Sequence, residues 1–172
     1  MRPESVGLTP GIYLEYIEKE YELRVTVIGE KIFAAKISKR QGGAFLDWRF
    51  HIDSNQAIVE KFELPDNFKA KIFNVVEEFD LKYGCLDFAV SNGVPYFLEI
   101  NPTGQFLFIE NFVPEMPLLA AFSSFVLSES TSYHVCESNF INLTNFHKSE
   151  DYNNMLKLRG SVMWKNNRRS TM

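Results

Sequence analysis

The sequence contains little cysteine and no long apolar run. Only two cysteines occur among its 172 residues, Cys85 and Cys136, and neither belongs to a CxxC pair. This spacing argues against a disulfide-stapled secreted fold and against a cysteine-based zinc site. No apolar run reaches about 18 residues, so no membrane-spanning helix is expected, and the first residues lack the apolar segment of a signal peptide. We therefore expect a cytoplasmic protein that has no membrane partner.

The sequence also lacks an excess of positive charge. Its 18 Lys and Arg residues are outnumbered by 22 Asp and Glu residues, which gives a net charge of −4. Because nucleic-acid binding depends on neutralising phosphates, this balance argues against a nucleic-acid partner. Phenylalanine, by contrast, occurs 16 times, and hydrophobic residues make up 45% of the chain. We expect one domain or a compact pair of lobes with an aromatic-rich core.

Alternation of apolar and polar residues predicts strands near the start of the chain and again after residue 84. The early strands are predicted over residues 12–17, 21–28 and 31–37. Gly29 and Glu30 form the turn between the last two. The later strands are predicted over residues 85–90 and 96–101, which flank a turn near Gly93.

Two helices are predicted, over residues 66–83 and 114–127. The first carries apolar residues on one face and is closed by Gly84, and the second is expected to bury Val126. These elements predict an α+β fold, a mostly antiparallel sheet with helices packed on one face. The chain is divided into a lead-in loop at 1–11, a folded lobe at 12–128 and a C-terminal extension at 129–172. The polar tail of this extension, from His147 to Met172, is either a mobile arm or a final helix.

The segment YGCLDFAVSNGVPYFLEINPTGQF carries the most chemistry. A turn centred near Gly93 places Asp87 opposite Glu99. Glu99 and Asn101 are two residues apart on one strand, so they point to the same side. In this register Ala89 faces Phe97, and the apolar residues fall on the other face, which packs on the first helix: Leu86, Phe88, Val90, Tyr96, Leu98 and Ile100.

Two carboxylates and an amide oxygen on one face of a sheet need a compensating positive charge. Magnesium fits this set because it prefers hard oxygen ligands and keeps some of its shell for water and phosphate. A solvent-facing hairpin with ordinary surface polar residues explains the same pattern. On the pattern alone both interpretations stay open.

The stretches YGCLDF and FLEINPTGQF resemble the metal-binding end of ATP-grasp ligases, and LEYIEKEYELRVTVIGEKIFAAKI resembles the segment that precedes it in that family. The resemblance is to the C-terminal part of these enzymes and covers about residues 9–127. ELRVTVIG, DWR and EINPTGQF are most similar to the graspetide, or microviridin-type, peptide maturases. Ribosomal-protein glutamate ligases are the next most similar branch.

The resemblance implies a role for each matching position. The backbone of Glu15, Tyr16 and Ile17 is implied to bind adenine, Glu22 the ribose hydroxyls, and Arg24 and Arg49 the phosphate or acyl phosphate. Asp87, Glu99 and Asn101 are implied to be ligands of Mg²⁺. From the residues alone, Glu22 and Arg24 could instead be an exposed cross-strand charge pair, and Arg49 a surface arginine stacked on Trp48.

The family's chemistry phosphorylates a carboxylate with ATP and then lets an amine or hydroxyl displace the phosphate. The implied function is therefore the ATP- and Mg²⁺-binding half of a ligase that modifies a peptide or small protein. Only fourteen residues precede Glu15, so we expect a fragment that lacks the first grasp lobe, binds nucleotide weakly and is inactive alone. We expect the missing N-terminal lobe, or further copies of this chain in a homo-oligomer, as an additional partner. The alternative is a non-catalytic peptide- or partner-binding module with a vestigial nucleotide site.

Overall fold

A computed structural model describes residues 15–42, 45–52, 56–135 and 143–158. Five antiparallel strands form one sheet in the order β3-β2-β1-β4-β5. The strands are β1 Tyr21–Ile28, β2 Lys31–Lys39, β3 Ala57–Lys61, β4 Tyr83–Ser91 and β5 Val94–Asn101. The helices are α1 Asp66–Glu78, α2 Phe108–Phe112, α3 Leu118–Leu127 and α4 Leu143–Lys148, with a short 3-10 turn at Trp48–Phe50. The α+β prediction is confirmed, and β3 and α2 are elements that the sequence did not predict.

The central strand β1 sends alternate side chains to opposite faces of the sheet. Leu23, Val25 and Val27 join a core with Ile72 and Val76 of α1. On the other face, a second core joins sheet residues to α2 and α3: Ile28, Ala35, Cys85, Ile109, Leu118 and Ala121. Helices therefore cover both faces of the sheet. We expected α3 to lie beside α1, but it lies on the opposite face. The apolar side chains on this second face must also be shielded from water, and α2 and α3 cover them.

Both long helices are shorter than the sequence predicted. α1 ends at Glu78 because Asp80 has a φ of 49°, a left-handed conformation that turns the chain out of the helix. Gly84, the predicted end, lies inside β4 instead. α3 begins only after Pro117, and Val126 near its end is 62% exposed rather than buried.

The register of the β4–β5 hairpin contains one irregularity. Asp87 pairs with Glu99, as predicted, but Ala89 pairs with Tyr96 rather than with Phe97. Asn92 and Gly93 have φ values of 50° and 72°, so they form a two-residue turn and not a turn centred on Gly93. The shift between the two registers is a bulge next to Asp87.

The segment before β1 is irregular where a strand was predicted. Residues 15–17 belong to no strand, and residues 12–14 lie outside the described chain. Both edges of β1 are already paired with β2 and β4, so the preceding segment has no free edge beside it. It meets the sheet through the Glu20 amide, which donates to the Val90 carbonyl at 2.7 Å.

The described part of the C-terminal extension contacts the sheet. The Glu30 amide donates to the Thr131 carbonyl at 3.0 Å, and the buried Tyr133 hydroxyl donates to the Ile28 carbonyl at 3.1 Å. Residues 150–158 are helical, and residues 159–172 lie outside the described chain. Among the described helices, none is long and apolar enough to span a membrane.

Candidate functional site

Three of the predicted site residues form a row across three neighbouring strands. Arg24 of β1 pairs with Asp87 of β4, and Asp87 pairs with Glu99 of β5. Paired residues on adjacent strands project to the same face. Glu22 and Asn101 lie on the same face, two residues from Arg24 and from Glu99. We call the surface formed by these five residues the site face.

Arg24 and Asp87 form a buried ion pair at the centre of the site face. Arg24 Nη1 donates to Asp87 Oδ2 at 2.6 Å, and both residues are at most 5% exposed. Arg24 Nη2 also donates to the Gln105 carbonyl at 2.8 Å, which ties the segment after β5 to the sheet. Because Arg24 is buried and binds Asp87, it does not form the exposed charge pair with Glu22 that the residues alone allowed.

Burial and charge act in opposite directions on this pair. Burial raises the pKa of Asp87, and although Arg24 opposes the shift, the pKa stays above its ordinary value. The neighbouring Glu99 carboxylate contributes to the increase. Burial lowers the pKa of Arg24, but Asp87 outweighs it and the pKa of the guanidinium is raised. Asp87 therefore benefits from any further cation that reaches it.

Arg49 is a second cation at the same carboxylates. Its Nη2 lies 3.2 Å from Glu99 Oε1 and 3.5 Å from Asp87 Oδ2. Asp47 fixes the local turn by accepting from the Arg49 backbone amide at 3.0 Å, and the guanidinium lies 5.4 Å from the Trp48 ring centre. With its side chain half exposed, Arg49 joins the site and is not an isolated surface residue.

The oxygen donors suit a hard divalent cation. Asn101 Nδ2 donates to Glu99 Oε1 at 3.1 Å, which leaves the Asn101 Oδ1 oxygen as a candidate ligand. Within the described chain, no group of three or more His, Cys, Asp or Glu side chains could hold a metal ion. The predicted set is of a different kind, because it combines two carboxylates with one amide oxygen. Such a set, completed by water and phosphate, matches the preference of Mg²⁺.

Glu22 is buried at one end of the site face and is already paired. Lys19 Nζ lies 2.6 Å from Glu22 Oε1 and also donates to the Leu46 carbonyl at 3.1 Å. Burial raises the pKa of Glu22, and Lys19 opposes this shift. Glu15, Tyr16 and Ile17 precede this pair as irregular chain, and the Tyr16 side chain is 68% exposed.

A cavity of about 680 Å³ lies between the site face and α2. It is lined by Arg24, Trp48, Arg49, Ile52, Asn101, Gly104, Gln105, Phe108, Asn111 and Phe112. The motif DWR pointed to part of this wall, but no sequence pattern identified the residues from α2. Its lining combines two arginines with aromatic rings, so it suits a ligand that carries both an anionic group and apolar surface.

Comparison with known proteins finds similarity only to solved structures, because no protein-family model and no curated protein matches the chain. The macrocyclase MdnC from Microcystis aeruginosa MRC, bound with precursor peptide MdnA, has 34% sequence identity and a TM-score of 0.53. The match covers 64% of this chain and 34% of that chain.

Two further structures extend the comparison. The Chryseobacterium gregarium RiPP-associated ATP-grasp ligase, in complex with ADP and a leader and core peptide, has 28% identity and a TM-score of 0.56 over 69% of this chain and 37% of that chain. Macrocyclase MdnB from Microcystis aeruginosa MRC has 25% identity and a TM-score of 0.52 over 65% and 32%. The chain thus spans about a third of these longer proteins. The predicted resemblance is confirmed, and the chain is similar in sequence and fold to the ATP-grasp ligases that act with precursor peptides.

Proposed function

We propose that the chain provides the nucleotide- and magnesium-binding face of an ATP-dependent ligase that acts on a peptide. The observation that carries this proposal is the convergence of Arg24, Arg49, Asp87, Glu99 and Asn101 on one face of the sheet. A bound magnesium–ATP complex would supply the phosphoryl group that activates a peptide carboxylate as an acyl phosphate. An amine or hydroxyl would then displace the phosphate.

The proposed roles of the site residues follow from their charge and from how firmly each side chain is held. Asp87 and Glu99 would supply negative charge to the cation, and Asn101 would add a neutral oxygen. Arg24 is held on two sides by Asp87 and the Gln105 carbonyl, so its first role is to keep Asp87 in place. Arg49 is half exposed, and its guanidinium contacts Glu99. When a metal ion binds Glu99 instead, the guanidinium would be free to bind a phosphate oxygen.

A peptide substrate is supported by the cavity and by the similar structures. The lining of the cavity contains Arg24 and Arg49 together with Phe108 and Phe112. Structures with 34% and 28% identity to the chain are described as complexes with a precursor peptide and with leader and core peptides. The second of these also contains ADP. In the complete ligase, we propose that a second lobe or another chain covers the opposite side of the nucleotide.

Calorimetric titration of ADP into the chain, with and without Mg²⁺, tests the proposed function. We expect magnesium-dependent binding, and we expect Asp87→Ala and Glu99→Ala each to weaken it by at least about tenfold, or about 1.4 kcal/mol. Glu77→Ala is the matched control, because Glu77 is an exposed acid on α1 at the other face of the sheet. Equal binding by all four proteins, or binding that does not need Mg²⁺, contradicts the proposal.

The pairing within the site favours one alternative. Lys19, Arg24 and Arg49 form ion pairs with Glu22, Asp87 and Glu99 and so neutralise these carboxylates. A non-catalytic module that binds a peptide or a partner protein, with a vestigial nucleotide site, would be stable in this state. No heat at millimolar Mg-ADP in the same titration would favour this second function.

A further inference from the structure

The bulge in β5 changes which aromatic residue faces the site. Tyr96 and Glu99 are three positions apart, so in a regular strand they would project to opposite faces. Here Tyr96 pairs with Ala89 and Glu99 with Asp87, while the register shift beside Asp87 leaves Leu98 as the extra residue of β5. Tyr96 and Glu99 therefore project to the same face, and bulges near functional sites commonly redirect side chains in this way.

Two observations fix the direction of Tyr96. It continues a row across the sheet, because Ala89 pairs with Tyr96 on one side and with Glu22 on the other. Its neighbour Phe97 pairs with Phe88, and their ring centres are 5.7 Å apart on the face that α1 covers. Tyr96 thus lies on the site face, opposite to the direction that the sequence predicted.

The row from Glu22 to Tyr96 crosses β4 at a small residue, and we call it the shelf. Only the small side chain of Ala89 stands between the buried Glu22 carboxylate and the Tyr96 ring, which is 44% exposed. Two strand spacings separate β1 from β5, so the two backbones are roughly 10 Å apart. The shelf therefore has a hydrogen-bond acceptor at one end and an aromatic ring at the other, and it leads to the Asp87–Glu99 row.

The exposed ring is poorly placed for strand addition. β5 is an edge strand, but Pro95 removes one backbone donor from it and the bulge interrupts its ladder. Tyr96 therefore offers a ligand on the site face its side chain rather than its backbone. Aromatic rings bind nucleobases by stacking and tolerate different bases, because every base presents a π face.

We infer that Tyr96 stacks on the base of a nucleotide whose ribose hydroxyls meet Glu22 and whose phosphates meet Arg49 and the magnesium ligands. This inference rests on the proposed nucleotide site and adds to it a specificity residue on β5. It predicts that the chain distinguishes a nucleoside polyphosphate from a bare polyphosphate through Tyr96.

Two probes, Mg-ADP and Mg-tripolyphosphate, test the inference by calorimetry on the full chain. We expect Tyr96→Ala to weaken Mg-ADP about tenfold and to leave Mg-tripolyphosphate unchanged. Tyr96→Phe keeps the ring and should bind both probes as the unsubstituted chain does. Phe97→Ala is the matched control, since it removes the adjacent, similarly exposed ring from the other face and should change neither affinity.

The outcomes separate this inference from the proposed function. If the unsubstituted chain binds both probes and Tyr96→Ala binds Mg-ADP equally well, Tyr96 has no role and only the inference fails. An equal loss of both probes in Tyr96→Ala also overturns it, because the effect would not lie on the base. If the unsubstituted chain binds neither probe, the proposed nucleotide site fails and the inference falls with it.

Discussion

At the residue scale, Asp87 is the group on which the site depends. It is nearly fully buried, pairs with Arg24 at 2.6 Å, lies 3.5 Å from Arg49 and faces Glu99 across the hairpin. Burying a carboxylate without such partners would cost several kcal/mol. The sequence shows only that Asp87 can meet Glu99, whereas the structure adds that two arginines from distant segments converge on it.

The raised pKa of Asp87 predicts that ligand binding at the site depends on pH. Because burial raises that pKa, the Asp87 carboxylate is protonated at higher pH than an ordinary aspartate. The protonated group is neutral and no longer attracts the metal ion. We expect the affinity for Mg-ADP to fall as pH is lowered toward the raised pKa, at pH values above the ordinary aspartate range. Asp87→Asn should bind weakly with little pH dependence there, as measured by calorimetry at several pH values.

Loss of structure would not explain such a fall. The folded chain holds the Asp87 proton more tightly than the unfolded chain does, so protonation of this group does not favour unfolding. Circular dichroism at each pH checks this point. An affinity for Mg-ADP that stays constant over the range, or falls equally in Asp87→Asn, would contradict the role given to Asp87.

Gly104 lies where the segment after β5 passes closest to the ion pair. A Cβ atom built on Gly104 would lie 2.8 Å from Cys85 Cβ, 2.9 Å from Arg24 Nη2 and 3.0 Å from Asn101 Cβ. Distances this short force neighbouring atoms to move, so the position needs the small size of glycine.

Gly104→Ala should therefore lower the free energy of unfolding by about 1–3 kcal/mol, because the added methyl group overpacks the site. Gly84→Ala is the control, since its nearest contacts would be ordinary ones at 3.6 Å to Ile100. We expect Gly84→Ala to be neutral or stabilising by up to about 1 kcal/mol. Urea denaturation measures both, and equal stability of the two variants would contradict the packing described for Gly104.

At the element scale, the sequence predicts the strands with long alternating patterns and misses the short elements. β1, β4 and β5 follow from alternation, and so does the pairing of Asp87 with Glu99. β3 and α2 each contain five residues, too few to show a period, and they form because the second core and the cavity wall surround them.

The face assigned to Tyr96 shows why register is harder to predict than pairing. A turn of two residues at Asn92 and Gly93 shifts the pairs nearest the turn by one position, and the bulge restores the pairing at Asp87. One such shift moves Tyr96 to the other face. Alternation alone cannot locate a bulge, because the extra residue resembles any other strand residue.

The magnesium ligands and both arginines were predicted through the motifs, and their roles stay predictions. The structure brings them within contact distance of one another, whereas the residues at 15–17 do not form the predicted strand. The aromatic wall from Trp48 and Phe108 was missed, because its ring centres meet at 5.1 Å only through tertiary packing.

Glu110 of α2 connects two later helices. Its side chain is only 1% exposed, Oε1 accepts from the Leu119 amide at 2.8 Å and Oε2 accepts from the Leu143 amide at 2.9 Å. Leu119 and Leu143 lie in the first turns of α3 and α4, where backbone donors lack partners within the helix. The carboxylate therefore caps both helices at their positive ends.

Glu110→Gln should lower the free energy of unfolding by about 1–3 kcal/mol, because the new amide group presents a donor to one of the two backbone donors. Hydrogen exchange should quicken at the Leu119 or Leu143 amide, or at both. Glu129→Gln changes an exposed residue and should shift stability by no more than about 0.5 kcal/mol. Unchanged exchange at both amides in Glu110→Gln would refute this capping role.

At the scale of the whole molecule, the described part of the C-terminal extension is attached to the lobe. Thr131 and Tyr133 bind the turn and end of β1, and α4 is joined to α2 through Glu110. Since α2 also lines the cavity with Phe108, Asn111 and Phe112, the extension helps to hold one wall of the site.

We propose that the site face holds a divalent cation together with a nucleotide. Adding Mn²⁺ in place of Mg²⁺ to the chain with ADP, and recording amide resonances by NMR, locates the cation directly. We expect selective broadening of the Asp87, Glu99 and Asn101 amides at low Mn²⁺, with no effect at the exposed acids Asp66 and Glu77 of α1. Broadening at the exposed acids, with sharp signals from the site face, would contradict the claim.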